Sequence, residues 1–365
     1  MPYPHVIRLR GPWQYTPLIR FGEGPLPAPG RVELPTDWGA TLGEKFRGRV
    51  RYERSFNSPS NLDPHERVWL IVDGADARAD VHLNGQSLGT IEGYALSAEW
   101  DITEIIGSRN LLGLDVEQPN TDSAPASSAW PPRPGREALP GGPIGQVRLE
   151  IRSTAFVADF ALWIAVERNG SRLLCSGKIR GDGEAGPLSL VISALEREIL
   201  YEYVTLEQPF KYAAYAGDIP VWAAGGPTRL AKVEVKLISG GEAIWRQELE
   251  TAASDVLSEC IEQFAIGATF VSGGVEAQIE QLLIDVAQEE PAVVMPQILP
   301  APLYERFDRA GVAVIQAMPL EWAEHVCPRL AQHPSIGAWL LTLHEANGQT
   351  ALPSSTFGRP WVSIG

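Results

Sequence analysis

The chain has 365 residues, 44% of them hydrophobic, which suffices for two or three domains with sizeable cores and excludes a disordered polymer. Its formal net charge of -15, with no Lys- or Arg-rich run to override it, sets it against phosphate backbones and anionic lipid, so neither nucleic acid nor a membrane surface is expected as a partner. Three cysteines, Cys175, Cys260 and Cys327, are odd in number and widely spaced with no C-x-x-C, and they read as reduced thiols rather than a disulfide framework or a zinc site.

The N-terminal stretch MPYPHVIRLRGPWQYTPL lacks an apolar core of about seven residues after its basic residues, and no apolar run approaches the roughly 20 residues that span a bilayer. A cytoplasmic location is expected, and the sequon Asn169-Gly170-Ser171 is then idle. No cofactor is expected: there is no phosphate-cradling Gly loop, nucleophile elbow or zinc signature.

From about residue 7 to 155, short alternating strands are separated by turns. Arg67 to Asp73 (RVWLIVD) reads as a largely buried strand, and Ala79 to Leu83 (ADVHL) alternates before Asn84-Gly85. Asn-Gly supplies the two positive φ angles of a type I′ turn, so Val81 to Leu83 and Gln86 to Gly89 are predicted to form a hairpin. Leu111 to Val116 is a further strand. Pro119 to Pro143, PNTDSAPASSAWPPRPGREALPGGP, is too rich in Pro, Gly and Ser for an element and predicts a long surface loop carrying one aromatic side chain, Trp130. Asp73, Asp76 and Asp80 lack the spacing of an EF-hand calcium loop and are read as a solvated face.

Residues 156 to 268 repeat the all-β style, with strands predicted at Phe160 to Val166, Leu188 to Ile192, Tyr201 to Leu206, Lys232 to Ile238, Ala243 to Leu249 and Cys260 to Ile266. The turn-rich Ile219 to Pro227 is a crossover at one end. From residue 274 the period changes: Val275, Ile279, Leu282, Leu283 and Val286 form one apolar helix stripe. A strand at Ala292 to Met295, a helix near Pro302 to Ala310, a strand at Val312 to Ile315, a helix around Leu320 to Ala331 and a strand at Ile336 to Leu341 follow. Alternating helix and strand predicts a parallel sheet, but a closed eightfold β/α barrel takes about 250 residues. The C-terminal stretch is expected to hold at most three such strands.

Several motifs together resemble glycoside hydrolase family 2, the family of β-galactosidases, β-glucuronidases and β-mannosidases. Arg67 to Ala77, Ala79 to Gly85, Gly93-Tyr94, Trp100 to Thr103 and Arg109 to Leu112 are similar to its sugar-binding domain, and Gly142 to Val147 (GPIGQV) to the signature that ends it. Ile219-Pro220-Val221-Trp222 resembles a Pro-x-Trp segment of the family's Ig-like sandwich. Leu303 to Val314, Met318-Pro319 and His333-Pro334-Ser335-Ile336-Gly337-Ala338-Trp339 resemble segments of its catalytic barrel. The resemblance implies a multidomain, mainly β chain: a galactose-binding-like jelly-roll sandwich over 1–155, an Ig-like β-sandwich over 156–268, and a partial α/β, incomplete TIM-barrel-like region over 269–365.

The family draws its acid/base from an Asn-Glu pair after the His-Pro-Ser strand. His344-Glu345 stands near that place, shifted by one residue relative to Trp339, which makes Glu345 the candidate acid/base. A retaining glycosidase needs two carboxylates about 5 Å apart, and a counterpart of the later strand that brings the nucleophile in the family is not expected here. Glu345 is therefore open to a second reading, as an exposed residue of a terminal loop. Trp130, Trp339, His333 and His344 are the candidate ligand-binding residues; three of them have a packing role to weigh against it, a loop clip for Trp130, the cap of a strand entry for His333 and packing against the Ig-like domain for Trp339. The expectation is a catalytically incompetent relative acting in carbohydrate binding or protein association, with a homo-oligomer or a partner protein covering the open barrel edge. The alternative is a retaining β-glycoside hydrolase completed by another chain.

Overall fold

The computed structural model describes residues 3–119, 133, 135–136, 138–181, 186–225, 229–254, 269–270, 283, 292–342 and 361–364. The chain divides into two compact units, Pro4–Ser153 and Thr154–Gly365, the second joined by the first three residues. Among the described residues no helix is long and apolar enough to cross a membrane.

Among its described residues the first unit holds ten strands: β1 (His5–Arg8), β2 (Trp13–Arg20), β3 (Gly30–Val32), β4 (Gly48–Asn57), β5 (Arg67–Val72), β6 (Arg78–Leu83), β7 (Gln86–Glu92), β8 (Ala98–Asp101), β9 (Arg109–Gln118) and β10 (Val147–Arg152). They form a six-stranded sheet, β3-β2-β4-β9-β6-β7, and a four-stranded one, β1-β10-β5-β8, antiparallel throughout. Alternation does the sorting, since successive side chains of a strand point to opposite faces. Val50, Tyr52, Leu112, Leu114, Val116, Ala79, Val81 and Leu83 of the larger sheet meet Val68, Leu70, Val72, Val147 and Leu149 of the smaller in one core, around Trp13, Trp38 and Phe46. The two buried indoles keep their N–H groups satisfied: Trp13 Nε1 donates to the Leu9 carbonyl at 2.7 Å and Trp38 Nε1 to the Tyr52 hydroxyl at 3.0 Å. The hairpin predicted at Asn84-Gly85 is present, with φ of 54° and 83° and Leu83 paired with Gln86.

The other face of the larger sheet is an ionic lattice. Arg51, Asp115 and Asp80 lie in one cross-strand row and Arg49, Glu117 and Arg78 in the next. Two like charges directly opposed destabilise a sheet; here Arg49 Nη2 lies 3.2 Å from both Asp80 and Asp115, while Arg51 grips Asp115 with two bonds of 2.7 Å. Burial alone would raise the Asp115 pKa, but the hydrogen bond and charge of Arg51, with Arg49 beside it, prevail and hold it below the ordinary carboxylate range.

The second unit begins with seven antiparallel strands, β11 (Ala155–Glu167), β12 (Gly170–Gly181), β13 (Leu188–Ala194), β14 (Arg197–Val204), β15 (Pro209–Gly217), β16 (Ala231–Ser239) and β17 (Glu242–Thr251). They pair as β11-β12-β15 and β14-β13-β16-β17, and their apolar rows, including Leu162, Ile164, Leu173, Leu190, Ile192, Val235 and Leu237, are buried. The strands predicted at 160–166, 188–192, 201–206, 232–238 and 243–249 lie within or overlap these elements; that at 260–266, like the helix stripe from Val275, falls outside the described residues apart from Leu283.

Among the described residues five parallel strands follow in sequence order, β18 (Thr269–Phe270), β19 (Ala292–Met295), β20 (Ala313–Pro319), β21 (Ile336–Thr342) and β22 (Trp361–Ile364). This exceeds the three expected, because two very short strands extend the sheet at its edges. Helix α1 (Ala301–Ala310) lies between β19 and β20, and helix α2 (Ala323–Leu330) between β20 and β21. Helix α1 carries Pro302 in its first turn, where the missing N–H costs no helical bond, and ends on Gly311 at φ 71°, the left-handed conformation that glycine adopts without strain.

Replacing Asp115 with Asn is expected to cost about 1–2 kcal/mol at pH 7. A carboxylate held below its unfolded pKa of about 3.9 stabilises the fold above that value and loses the effect as pH falls through the folded value. Urea unfolding should therefore separate wild type from Asp115→Asn at pH 7 and bring them together near the acid limit; a gap independent of pH would contradict this assignment.

Candidate functional site

The candidate residues of the second unit fall on the parallel sheet, and the register decides which way they face. Gln316, fully buried in β20, accepts a hydrogen bond from the Tyr304 hydroxyl of α1 and donates to the carbonyls of Met295, Gln297 and Ala317 at 2.8–3.2 Å. Gln316 thus lies on the helix-covered face. Trp339 is its partner in register on β21, shares that face and is fully buried. Ile315, Ala317, Leu340 and Thr342, which alternate with them, are half-buried on the other face.

His333 lies at the opposite end of the sheet from the carboxyl rim, just before β21, and is 2% exposed. Its Nδ1 meets Asp308 Oδ2 at 2.7 Å, while Asp308 Oδ1 accepts from the Ser335 hydroxyl at 2.6 Å and the Ser335 N–H at 3.0 Å. A carboxylate can only accept, so Nδ1 is the donor when Asp308 is ionised. The same residue's carbonyl accepts from Trp222 Nε1 at 2.9 Å, and the Gln332 carbonyl accepts from the Thr251 hydroxyl at 2.6 Å. Trp222 also packs with Ala252, Ala292 and Ala313, the last two being the first residues of β19 and β20. The His-Pro-Ser segment is therefore part of the joint between the paired sheets and the amino end of the parallel sheet. At the carboxyl rim, the carboxylates that follow β20 among the described residues are Glu321 and Glu324, both exposed. His344 and Glu345 lie outside the described residues, as does Trp130.

In the first unit the sequence reading needs a correction. Asp76 is not on a solvated face: it is fully buried, bound by Arg133 through two bonds and by Arg136 Nε at 2.8 Å. Its backbone N–H and carbonyl also exchange hydrogen bonds with Gly142 at 2.9 and 2.7 Å. A Cβ on Gly141 would come within 2.6 Å of the Asp76 carbonyl, and one on Gly145 within 2.4 Å of the Gly74 nitrogen, so the Gly-Gly-Pro-Ile-Gly run is glycine-rich because two backbones touch. Arg136 lies over the Tyr94 ring at 5.6 Å, and Tyr94 is 5% exposed. The end of the Pro-rich loop is thus moored to the body by a doubly paired carboxylate. The signal is the pair of arginines three apart, the only cations of a Pro- and Gly-rich run. Asp73 and Asp80 are only partly exposed, paired with Arg148 and with Arg49 and Arg78.

Among the described residues no group of three or more His, Cys, Asp or Glu could hold a metal ion. Cys175 and Cys327 are buried, and burial pushes the Cys175 pKa up to about 12, away from reactivity.

Residues 43–156 match the family described as glycosyl hydrolase 2 galactose-binding domain-like. The chain carries a glycosyl hydrolase 2 galactose-binding-like domain. The resemblance to glycoside hydrolase family 2 is supported further by a β-galactosidase of Arthrobacter sp. (strain B7), 26% identical over 156 residues, a match covering 41% of this chain and 14% of that one. Solved structures share the fold. A Bifidobacterium dentium β-glucuronidase complexed with coumarin-3-O-glucuronide aligns with a TM-score of 0.69 at 18% identity, over 99% of this chain and 74% of that one. A GH2 β-galacturonidase from Eisenbergiella tayi bound to galacturonate aligns with a TM-score of 0.72 at 14% identity, over 93% and 65%. A Bacteroides uniformis β-glucuronidase 2, in a calcium-binding mutant, aligns over 94% of this chain and 48% of its own length, so the chain spans about half of that enzyme.

Breaking a buried ion pair by removing one partner costs about 3–5 kcal/mol, because a charge is left uncompensated. Asp76→Ala strands two arginines and is expected to fall in that range by urea unfolding, with Asp73→Ala, a partly exposed pair, costing about 1 kcal/mol or less. Equal costs for the two would contradict the anchoring role given to Asp76.

Proposed function

We propose that this chain is a carbohydrate-recognising relative of the family-2 glycosidases, in which the parallel sheet is a scaffold rather than a reaction centre. On this reading the seven-stranded pair of sheets is the Ig-like sandwich and the parallel sheet a partial barrel. The observation that carries it is the placement of the shared barrel motif: His333 is fixed by Asp308 below the sheet, and Trp339 is buried on the helix side, so neither lines the face where a sugar would sit. Glu345, as acid/base, would need a second carboxylate about 5 Å away to complete a retaining cycle. Glu321 and Glu324, the exposed pair after β20, sit on a helical segment outside the sheet. Sugar contact falls instead to the first unit, to Trp130, three residues before the Arg133 that Asp76 holds; the planar indole suits the C–H face of a pyranose. A second copy or a partner protein would cover the sheet beyond β18 and β22, its edges among the described residues.

Nitrophenyl β-galactoside, β-glucuronide and β-mannoside should give no turnover. Calorimetric titration with the matching glycosides should give binding that Trp130→Ala weakens by about tenfold, or 1.4 kcal/mol, and that Glu345→Gln leaves unchanged. Hydrolysis abolished by Glu345→Gln would overturn the proposal in favour of a retaining β-glycoside hydrolase.

A further inference from the structure

The outer face of the β14-β13-β16-β17 sheet carries an aromatic corner that the reading above does not use. Leu190 pairs with Leu237 and Ile192 with Val235 on the buried side, so Ser189, Val191, Lys236 and Ile238 face outward, together with Tyr201 and Tyr203, which pair with Val191 and Ser189. The two tyrosines are 46% and 74% exposed, yet they are not loose surface residues. Their rings meet edge to face, with centroids 5.8 Å apart and planes at 86°. The Tyr201 hydroxyl accepts from Ser189 Oγ at 3.1 Å, which turns its ring along the sheet toward Tyr203. The backbone beneath is held from the other sheet, since the Tyr212 hydroxyl donates to the Tyr203 carbonyl at 3.3 Å. One ring thus forms a floor and the other a wall, preorganised by neighbours that would be superfluous for two solvated side chains.

Size and charge select the occupant. At 150–250 Å² per aromatic side chain, the two rings offer on the order of 200–300 Å², well below the roughly 800 Å² per partner of a stable protein interface but matched to one sugar ring. The cations of this face are neutralised internally: Lys236 by Glu234 at 2.5 Å, Arg246 by Glu234 at 2.5 Å and Lys232 by Glu248 at 2.6 Å. Glu198, which pairs with Ser193 on the same face as the tyrosines, is exposed, so an anionic ligand meets repulsion. We infer that Tyr201 and Tyr203 form a binding site for a neutral pyranose of a glycan chain, separate from the Trp130 loop. The C–H face of the sugar lies on Tyr201, and its hydroxyls reach the Tyr203 phenol.

The inference extends the carbohydrate reading but does not depend on it, because the two sites lie on different units and are addressed by different variants. The test is affinity electrophoresis of the full chain in native gels containing galactomannan, xyloglucan or hydroxyethyl cellulose, with polygalacturonate as the charged control. Retardation by at least one neutral glycan is expected, with the apparent Kd raised about tenfold or more by Tyr203→Ala and by Tyr201→Ala. Tyr203→Phe, which keeps the ring but removes the phenol hydroxyl, should raise it less, by about twofold to fivefold; Glu324→Gln, on α2, should leave it unchanged, and polygalacturonate should give no retardation. Absence of retardation by every neutral glycan, or retardation untouched by Tyr203→Ala, overturns the inference. So does a concentration-dependent dimer in sedimentation velocity that Tyr203→Ala abolishes, since the patch would then be a protein interface. Loss of binding in Trp130→Ala alone would support the first site and contradict this one.

Discussion

One buried carboxylate organises the second unit. Asp308 sits near the C-terminal end of α1, where the helix dipole disfavours a negative charge, and it is fully buried. Such a group is stable only if donors surround it, and they come from one short segment, the Ser335 N–H and hydroxyl and the His333 ring. The backbone carbonyl of the same residue holds the Trp222 indole from the paired sheets. A single position therefore ties a helix, the start of β21 and the neighbouring sheets into one joint. The arrangement of the parallel strands follows from it: their amino ends are closed off by Trp222 and a set of alanines small enough to let the backbones approach.

The first unit uses the same device with arginine. In a chain with a net charge of -15, its cations are concentrated on particular carboxylates: Arg133 and Arg136 on Asp76, Arg49 and Arg51 on Asp115, Arg148 and Arg152 on Glu150. Glu150, like Asp115, ends below the ordinary carboxylate range although burial opposes it, because the two arginines outweigh the burial. Fixed pairs of this kind position loops and sheet faces more than they add stability, since desolvation offsets much of the attraction. Their further consequence is a surface whose charges are largely committed, against which a neutral aromatic corner such as Tyr201 and Tyr203 stands apart.

Much of this architecture is legible in the residues because local and long-range requirements agree. Asn84-Gly85 demands a type I′ turn and lies between two alternating strands; the helix over 301–310 has its proline at the start and its glycine just after the end. Strands β12 and β15 are not foreseen: GSRLLCSGKIRG is broken by glycine and serine, and PFKYAAYAG opens on proline and is alanine-rich, a composition that an edge strand tolerates. The candidate site is less legible. The family likeness draws attention to His333 and Trp339, but which face each side chain takes depends on sheet register and on Asp308, twenty-five residues away from His333 in the chain. Asp76 was misread for the same reason, because its arginines lie 57 and 60 residues further on.

The central claim is that the His-Pro-Ser segment here builds the sheet and does not meet a ligand. The most direct test pairs the thermal midpoint of His333→Gln with its retardation in neutral-glycan gels. The account predicts a midpoint lower by roughly 4–8 °C, as a loss of about 2 kcal/mol gives in a body of this size, with glycan affinity unchanged. An unchanged midpoint with affinity lost would contradict it.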